Sequence, residues 1–117
     1  MSIPESALAG PGKIANTPRV YVVDDHAEMC ASIEALLATR GALVQCFRDP
    51  AEFVSQLETL ASGLVLLDLR MPGMSGHEVL DAMRGHLRRF PVVVITGHGE
   101  IEDAVKAIKA GAKDFLQ

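Results

Sequence analysis

LVLLDLRMPGMSG, residues 64–76, is the stretch that decides the fold, because four apolar residues run directly into Asp68. A short, continuous apolar run of this kind is typical of a strand that is buried on both faces of a parallel sheet. A second run, VYVV at residues 20–23, ends in the same way at Asp24 and Asp25. The carboxyl ends of parallel strands lie at one edge of a sheet, so we expect the three carboxylates to face one another.

Three carboxylates at close range require a compensating charge. Two unit charges about 4 Å apart repel by roughly 4 kcal/mol at an effective dielectric near 20. Either the pKa values of Asp24, Asp25 and Asp68 rise, or a cation binds between them. Ligands that offer only oxygen suit a hard divalent ion, so the sequence predicts Mg²⁺ as the cofactor. For Asp24 or Asp25 alone, an N-cap of the helix that begins near residue 27 is an open alternative.

Short strands alternate with helices along the chain. The pattern predicts strands at residues 20–23, 43–47, 64–67, 92–95 and 113–116. It predicts helices from about residue 27 to Gly41, and at residues 51–60, 77–84 and 100–110. Apolar residues recur at helical spacing on one face of each helix: Met29, Ile33, Leu36 and Leu37; Phe53, Leu57 and Leu60; Val79, Leu80 and Met83; Ile101, Ala104, Val105 and Ile108. Such alternation indicates an α/β fold with a doubly wound parallel sheet.

Composition limits the classes of function. The chain has 117 residues, enough for one domain, and its net charge of −4 argues against a nucleic-acid-binding surface. No apolar run is long enough to span a membrane, and no secretory or lipidation signal is visible, so we expect a cytoplasmic protein. Cys30 and Cys46 lack metal-binding spacing and are predicted to be reduced, buried thiols. Residues 1–18 are rich in Pro, Gly, Ser and Ala, and are predicted to form a flexible extension before a domain at residues 19–117.

Four segments, taken together, are similar to the receiver domain of bacterial two-component response regulators. They are VVDD at residues 22–25, LLDLRMPGMSG at 66–76, VITGHG at 94–99 and GAKDFL at 111–116. Their order and spacing match the family from residue 19 to the end of the sequence. The resemblance implies a five-stranded parallel sheet of flavodoxin-like order 2-1-3-4-5.

The resemblance also implies a phosphoryl acceptor. Asp68 would take a phosphoryl group from a histidine kinase or a histidine phosphotransfer protein. Mg²⁺ would be held by Asp25, Asp68 and the carbonyl of Arg70, with Asp24 assisting. The only reactions of the chain would be its own phosphorylation from a donor and hydrolysis of the aspartyl phosphate, rather than conventional enzyme turnover.

The remaining functional residues follow from the later segments. The hydroxyl of Thr96 and the N–H of Gly97 could together hold an oxyanion, although Thr and Gly are also common in ordinary turns. By the resemblance, Thr96 would follow the phosphoryl group and Phe115 would be the aromatic switch. Arg70 and His98 would flank the approach of hydrolytic water and set the phosphoryl lifetime. Four histidines are present, and of these His26 lies beside the acidic pair and could tune it.

The end of the sequence departs from the family pattern. In the family the fifth strand is followed by Lys-Pro and a fifth helix, whereas this sequence stops at Gln117, and Lys113 precedes Phe115. We therefore expect a receiver domain truncated after the fifth strand, with its output domain outside this chain. One side of the sheet would then be bare, and either the leading segment, through Ile3, Ala7 and Leu8, or a second copy of the chain would cover it. Of these two we favour a homodimer. The alternative is a receiver-like interaction module that does not switch, because the Lys and the fifth helix are absent.

Overall fold

The structure is a computed structural model that describes residues 17–96 and 101–117. Nine elements follow one another: β1 (Arg19–Val23), α1 (Ala27–Ala38), β2 (Leu43–Phe47), α2 (Pro50–Ser55), β3 (Leu64–Asp68), α3 (Gly76–Ala82), β4 (Val92–Ile95), α4 (Ile101–Lys109) and β5 (Asp114–Leu116). All strand pairs are parallel, and the strand order is β2-β1-β3-β4-β5. The predicted doubly wound sheet of order 2-1-3-4-5 is confirmed.

The two faces of the sheet form two separate apolar cores. Side chains alternate between the faces along each strand, so β1 and β3, which lie in the centre, are buried on both sides. One core packs the strands against α2, α3 and α4, and the other packs them against α1. Four helices are therefore present in the described residues, as expected for a sheet without a fifth helix. Because these strands are parallel neighbours, the carboxyl ends of β1, β3 and β4 lie together at one end of the sheet.

Helix α1 buries a different stripe from the one predicted. Cys30, Ile33 and Leu37 face the sheet, whereas Met29 and Leu36 are 38% and 42% exposed. The prediction counted only large apolar side chains and so omitted the small thiol of Cys30. Because Cys30 lies one helical turn before Ile33, the buried stripe is narrower and is rotated away from Met29. Cys30 is buried as predicted, but Cys46 is only partly buried, and both are free thiols.

Helix α2 ends earlier than predicted. Asp49 caps it by accepting a hydrogen bond from the N–H of Ala51, and Pro50 occupies the first turn, where a missing N–H costs nothing. Regular α-helix stops at Ser55 instead of residue 60, and residues 56–59 continue as turns. These turns still direct their apolar side chains inward, so Leu57 is buried as the spacing predicted.

Helix α4 packs through alanines. Ala104 and Ala107 are fully buried, whereas Ile101 and Val105 are each 45% exposed. The predicted face of Ile101, Ala104, Val105 and Ile108 is therefore wrong as a buried face. Small side chains allow the helix backbone to approach the sheet closely, and the branched residues are left on the outer side. None of the helices in the described ranges is long and apolar enough to cross a membrane.

Tyr21 lies at the centre of an aromatic cluster in the core beneath α2. Its ring centroid is 6.3 Å from that of Phe47, 6.3 Å from that of Phe53 and 5.9 Å from that of Phe90. Tilted and edge-on arrangements of this kind are favourable for aromatic pairs. The hydroxyl donates a hydrogen bond to the carbonyl of Ala61 at 2.7 Å, so its polar end is satisfied inside the protein.

Candidate functional site

Three carboxylates meet at the edge of the sheet where β1 and β3 end. These strands are neighbours, with Val23 opposite Leu67, so Asp24, Asp25 and Asp68 leave the sheet at the same level. One oxygen of each carboxylate and a ring nitrogen of His26 all lie within 4.8 Å of one another. The expectation that the three acids face one another is confirmed.

Asp24 and His26 are joined by two contacts. Oδ1 of Asp24, which is almost fully buried, accepts a hydrogen bond from the backbone N–H of His26 at 2.9 Å and lies 3.0 Å from its Nδ1. The N-cap of α1 is His26 itself, and no side chain caps this helix. Capping by Asp24 or Asp25 is therefore not observed, because their side chains turn toward the strand end. The hydrogen bond to Asp24 raises the pKa of His26, and the carboxylates of Asp25, Asp24 and Asp68 raise it further.

Asp25 supplies a buried carboxylate oxygen to the cluster. Its Oδ1 is buried and accepts no hydrogen bond from the described residues, although Nδ1 of His26 lies 3.3 Å away. A buried carboxylate oxygen left in this way is costly unless a cation or a water molecule satisfies it. Together with the neighbouring Asp24 and Asp68, this oxygen fits the all-oxygen ligand set of Mg²⁺.

Asp68 presents its two oxygens to different surroundings. Oδ1 accepts a hydrogen bond from the backbone N–H of Arg70 at 3.0 Å, whereas Oδ2 lies 4.0 Å from Nδ1 of His26. Burial raises the pKa of Asp68 above its ordinary value, and the charges of Asp24 and Asp25 add to this rise. The hydrogen bond from Arg70 acts in the opposite direction. Asp68 thus combines one tethered oxygen with one oxygen that faces the cluster.

The loop after β3 is held close to Asp68 by a glycine at the start of α3. A Cβ on Gly76 would collide with the carbonyl oxygen of Asp68 and would lie 2.6 Å from Cα of Leu69. Ser75 and Glu78 form a capping box that begins α3 at this point, with Ser75 Oγ accepting from the N–H of Glu78 at 3.2 Å. Gly73 adopts a φ of +84°, which an L side chain rarely adopts. The residues of the MPGMSG segment therefore fix the backbone that carries Asp68.

Thr96 follows β4 and is bound to β5. It is buried, its N–H donates to the carbonyl of Leu116 at 2.9 Å, and its hydroxyl donates to the same oxygen at 3.3 Å. Phe115, the preceding residue in β5, pairs with Val94 and is half-buried against the core beneath α2, α3 and α4. Thr96 and Phe115 are thus connected through one strand pairing. Gly97 and His98, the other predicted residues of this loop, lie outside the described residues.

Asp103 is a residue of the site region that the sequence analysis missed. Its Oδ2 lies 3.5 Å from Nη2 of Arg70, and its Oδ1 lies 3.6 Å from Nε2 of His77. That nitrogen is buried and makes no hydrogen bond within the part of the chain that the structure describes. An acidic residue in the first turn of a helix is expected from the helix dipole alone, so no signal in the sequence marked this contact. Asp103 connects α4 to the loop after β3 and to the start of α3.

The strand order and the acidic strand ends are those of a receiver domain of two-component signalling, and comparison with known sequences identifies the family. Residues 20–117 match the family profile described as the response regulator receiver domain. The chain belongs to this family. Receiver domains generally bind Mg²⁺ at an acidic pocket, and the cluster of Asp24, Asp25 and Asp68 is such a pocket.

Relatives of known annotation are longer than this chain. It is 43% identical over 98 residues to the transcriptional regulatory protein FixJ of Bradyrhizobium diazoefficiens, covering 84% of this chain and 48% of that protein. It is 41% identical over 97 residues to the response regulator protein TmoT of Ectopseudomonas mendocina, covering 83% of this chain and 44% of that protein. The chain thus spans a little under half the length of these relatives.

Solved structures show the same fold. The crystal structure of FixJ-N matches with a TM-score of 0.78 at 38% identity, over 86% of this chain and 80% of that chain. Full-length FixJ from B. japonicum matches with a TM-score of 0.80 at 42% identity, over 86% of this chain and 50% of that chain.

Proposed function

We propose that the chain is the phosphoacceptor domain of a two-component response regulator, with Asp68 as the acceptor. A histidine kinase or a histidine phosphotransfer protein would supply the phosphoryl group. The domain would then change conformation to control an output domain outside this chain, and we expect this exchange to occur in the cytoplasm. The observation that carries the proposal is the convergence of Asp24, Asp25 and Asp68 at one strand edge, with a buried Asp25 oxygen to which no group of residues 17–96 or 101–117 donates a hydrogen bond.

Mg²⁺ would be held by Asp25 and Asp68, with Asp24 assisting and the carbonyl of Arg70 as a further oxygen ligand. The bound ion would offset the negative charge of the carboxylates and of the incoming phosphoryl oxygens. Without such an offset, a dianionic donor would meet three clustered carboxylates at short range. This support comes from the donor set, which consists of oxygens that a hard cation prefers.

The carboxylate of Asp68 is held in one orientation. Its Oδ1 accepts the N–H of Arg70, and its Oδ2 faces the acidic cluster where the ion would bind. Attack of a carboxylate oxygen of Asp68 on phosphorus forms a P–O bond while the P–N bond of the phosphohistidine breaks, and the electron pair of that bond returns to the imidazole. The product is an acyl phosphate, which water can hydrolyse back to the carboxylate.

Thr96 would report the phosphoryl group to β5. In the structure its hydroxyl is bonded to the carbonyl of Leu116, beside Phe115. A hydroxyl that turned to a phosphoryl oxygen would give up this bond. The pairing of β4 with β5 would then rearrange around Phe115. This supports the proposal that Phe115 is the aromatic switch residue.

Phosphorylation of the chain with acetyl phosphate and Mg²⁺ tests the proposal. We expect the intact mass to increase by one phosphoryl group in the wild type and not in Asp68→Asn, because an amide is a poor nucleophile. Asp49→Asn is a matched control, since Asp49 caps α2 away from the site and Asn also caps well.

A phosphoryl group that survives acid, or that is still taken up by Asp68→Asn, would show that another residue is phosphorylated. Uptake on Asp68 with no change in the amide NMR spectrum of β5 would instead support the interaction module that does not switch.

A further inference from the structure

His26 has no assigned part in the proposed phosphoryl chemistry, yet its ring reaches into the acidic cluster. Nδ1 lies 3.0 Å from Oδ1 of Asp24, 3.3 Å from Oδ1 of Asp25 and 4.0 Å from Oδ2 of Asp68. The ring is 67% exposed, so it enters the cluster from the solvent side, where it is not held by packing.

These separations are those of ligands around a single metal ion. With metal–ligand bonds of about 2.1 Å, neighbouring ligands lie about 3 Å apart and opposite ligands about 4 Å apart. The three distances from Nδ1 fall within that range. Donor atoms from all four residues lie within 4.8 Å of one another, so a modest contraction would bring them onto one ion.

We propose that Nδ1 of His26 is an additional ligand of this site, and that it adapts the site to transition-metal dications such as Co²⁺, Ni²⁺ and Zn²⁺. An imidazole nitrogen suits these ions, whereas Mg²⁺ prefers oxygen and gains little from it. The buried Oδ1 of Asp25 and Nδ1 of His26 would then bind the same ion. This inference rests on the proposed metal site but goes beyond the proposed phosphoryl transfer.

The local backbone favours this arrangement. His26 is the N-cap of α1, with an extended backbone conformation of φ −91° and ψ 115°. Its N–H is fixed by Asp24, which holds Cα of His26 at the rim of the cluster. The ring nitrogen Nδ1 is therefore already directed at the carboxylates that would share the ion.

Titration calorimetry with Co²⁺ and with Mg²⁺ tests the inference on the wild type, His26→Asn and His86→Asn. Asn keeps an N-cap residue and an oxygen ligand at position 26 but removes the imidazole. His86→Asn is the matched control, because His86 lies in the turn after α3. We expect His26→Asn to bind Co²⁺ at least about tenfold more weakly and to keep its Mg²⁺ affinity within about threefold. The control should match the wild type for both ions.

A spectroscopic measurement identifies the ligand atom directly. In protein with ¹⁵N-labelled histidine, Zn²⁺ should shift the Nδ1 resonance of His26 and leave that of His86 in place. Unchanged Co²⁺ affinity in His26→Asn, equal losses for Co²⁺ and Mg²⁺, or a zinc-induced shift at another histidine would each overturn the inference.

These results are separable from the proposed phosphoryl transfer. Mg²⁺-dependent phosphorylation of Asp68 without any contribution of His26 to Co²⁺ binding would remove this inference alone. Co²⁺ binding that depends on His26 and on Asp25, in a chain that takes no phosphoryl group, would support the inference and remove the proposed function alone.

Discussion

Nη2 of Arg70 lies 3.5 Å from Oδ2 of Asp103, which links the loop after β3 to the first turn of α4. Both side chains are partly exposed, so the pair itself adds only about 0–1 kcal/mol to stability. Its importance is positional. The backbone N–H of Arg70 binds Asp68, and the guanidinium of the same residue contacts α4. One residue therefore touches both the proposed phosphoacceptor and the helix beside it.

Asp103→Asn should lengthen the life of the aspartyl phosphate severalfold. The substitution removes one of the groups that hold the guanidinium of Arg70 toward α4, so that the guanidinium spends a larger share of the time shielding the phosphoryl group from water. The melting temperature should change by less than about 5 °C, because the pair is exposed. Decay of the acyl phosphate measures the lifetime. Asp81→Asn is the control, since it breaks the exposed pair of Asp81 with Arg84 at 2.8 Å; equal effects of the two variants would contradict the prediction.

Asp25→Asn should weaken Mg²⁺ binding by about tenfold or more. Loss of an anionic ligand leaves too few oxygens for an ion that gives up its water reluctantly. In the wild type, millimolar Mg²⁺ should raise the melting temperature through mass action, and this gain should shrink in the variant. Calorimetry and thermal melts provide the measurements. Equal affinity in the wild type and in Asp25→Asn would place the ion elsewhere.

Asp68→Asn should stabilise the metal-free protein at neutral pH. Folding raises the pKa of Asp68 above its ordinary value of 3.8. At pH values between 3.8 and the raised pKa, the folded state therefore binds more protons than the unfolded state. Stability therefore falls as the pH rises from 3.8 through the raised pKa, and the deficit persists at neutral pH. Asn carries no charge and removes this deficit.

Thermal melts without Mg²⁺ measure this effect. We expect a gain of a few degrees at pH 7, given that 1 kcal/mol corresponds to about 4–8 °C in a domain of this size. The gain should disappear near pH 4. Asp114→Asn, on an exposed carboxylate of β5, should show no comparable gain. A gain of the same size at both pH values would mean that charge is not its cause.

Gly76→Ala should disturb the site through the backbone. The added Cβ collides with the carbonyl of Asp68, so Asp68 or α3 must shift, at a cost of about 1–3 kcal/mol. We expect both lower stability and slower phosphorylation. Gly85→Ala is the control, since its φ of +85° costs about 1–2 kcal/mol while nothing lies within 4 Å of its Cβ. Phosphorylation rates that fall equally in both variants would attribute the loss to stability alone.

Thr96→Ala should accept the phosphoryl group but respond weakly to it. The hydroxyl that bonds to Leu116 is lost, so β5 no longer senses its release, and stability falls by about 0.5–1.5 kcal/mol. Thr96→Ser retains the hydroxyl and should respond like the wild type. Amide NMR shifts in β5 on addition of beryllofluoride measure the response. Full shifts in Thr96→Ala would show that the signal reaches β5 by another route.

The sheet and the cluster of carboxylates at its end could be predicted from the sequence, because both depend on local patterns. Apolar runs that end in Asp24 and Asp68 specify buried strands and place their carboxylates together. The boundaries of α2 and the buried stripe of α1 were wrong, since they depend on how residues such as Cys30 fit against the sheet. The contact of Asp103 with Arg70 joins residues 33 positions apart, and no local pattern encodes it.

The aromatic cluster around Tyr21 gives the protein a built-in optical probe. The chain contains one Tyr and no Trp, so its entire tyrosine signal comes from a single ring in the core. That ring lies in β1, three residues before Asp24, and its hydroxyl is bonded to Ala61. Its emission can therefore follow unfolding without a label, and any repacking of β1 that accompanies events at the strand end will change the same signal.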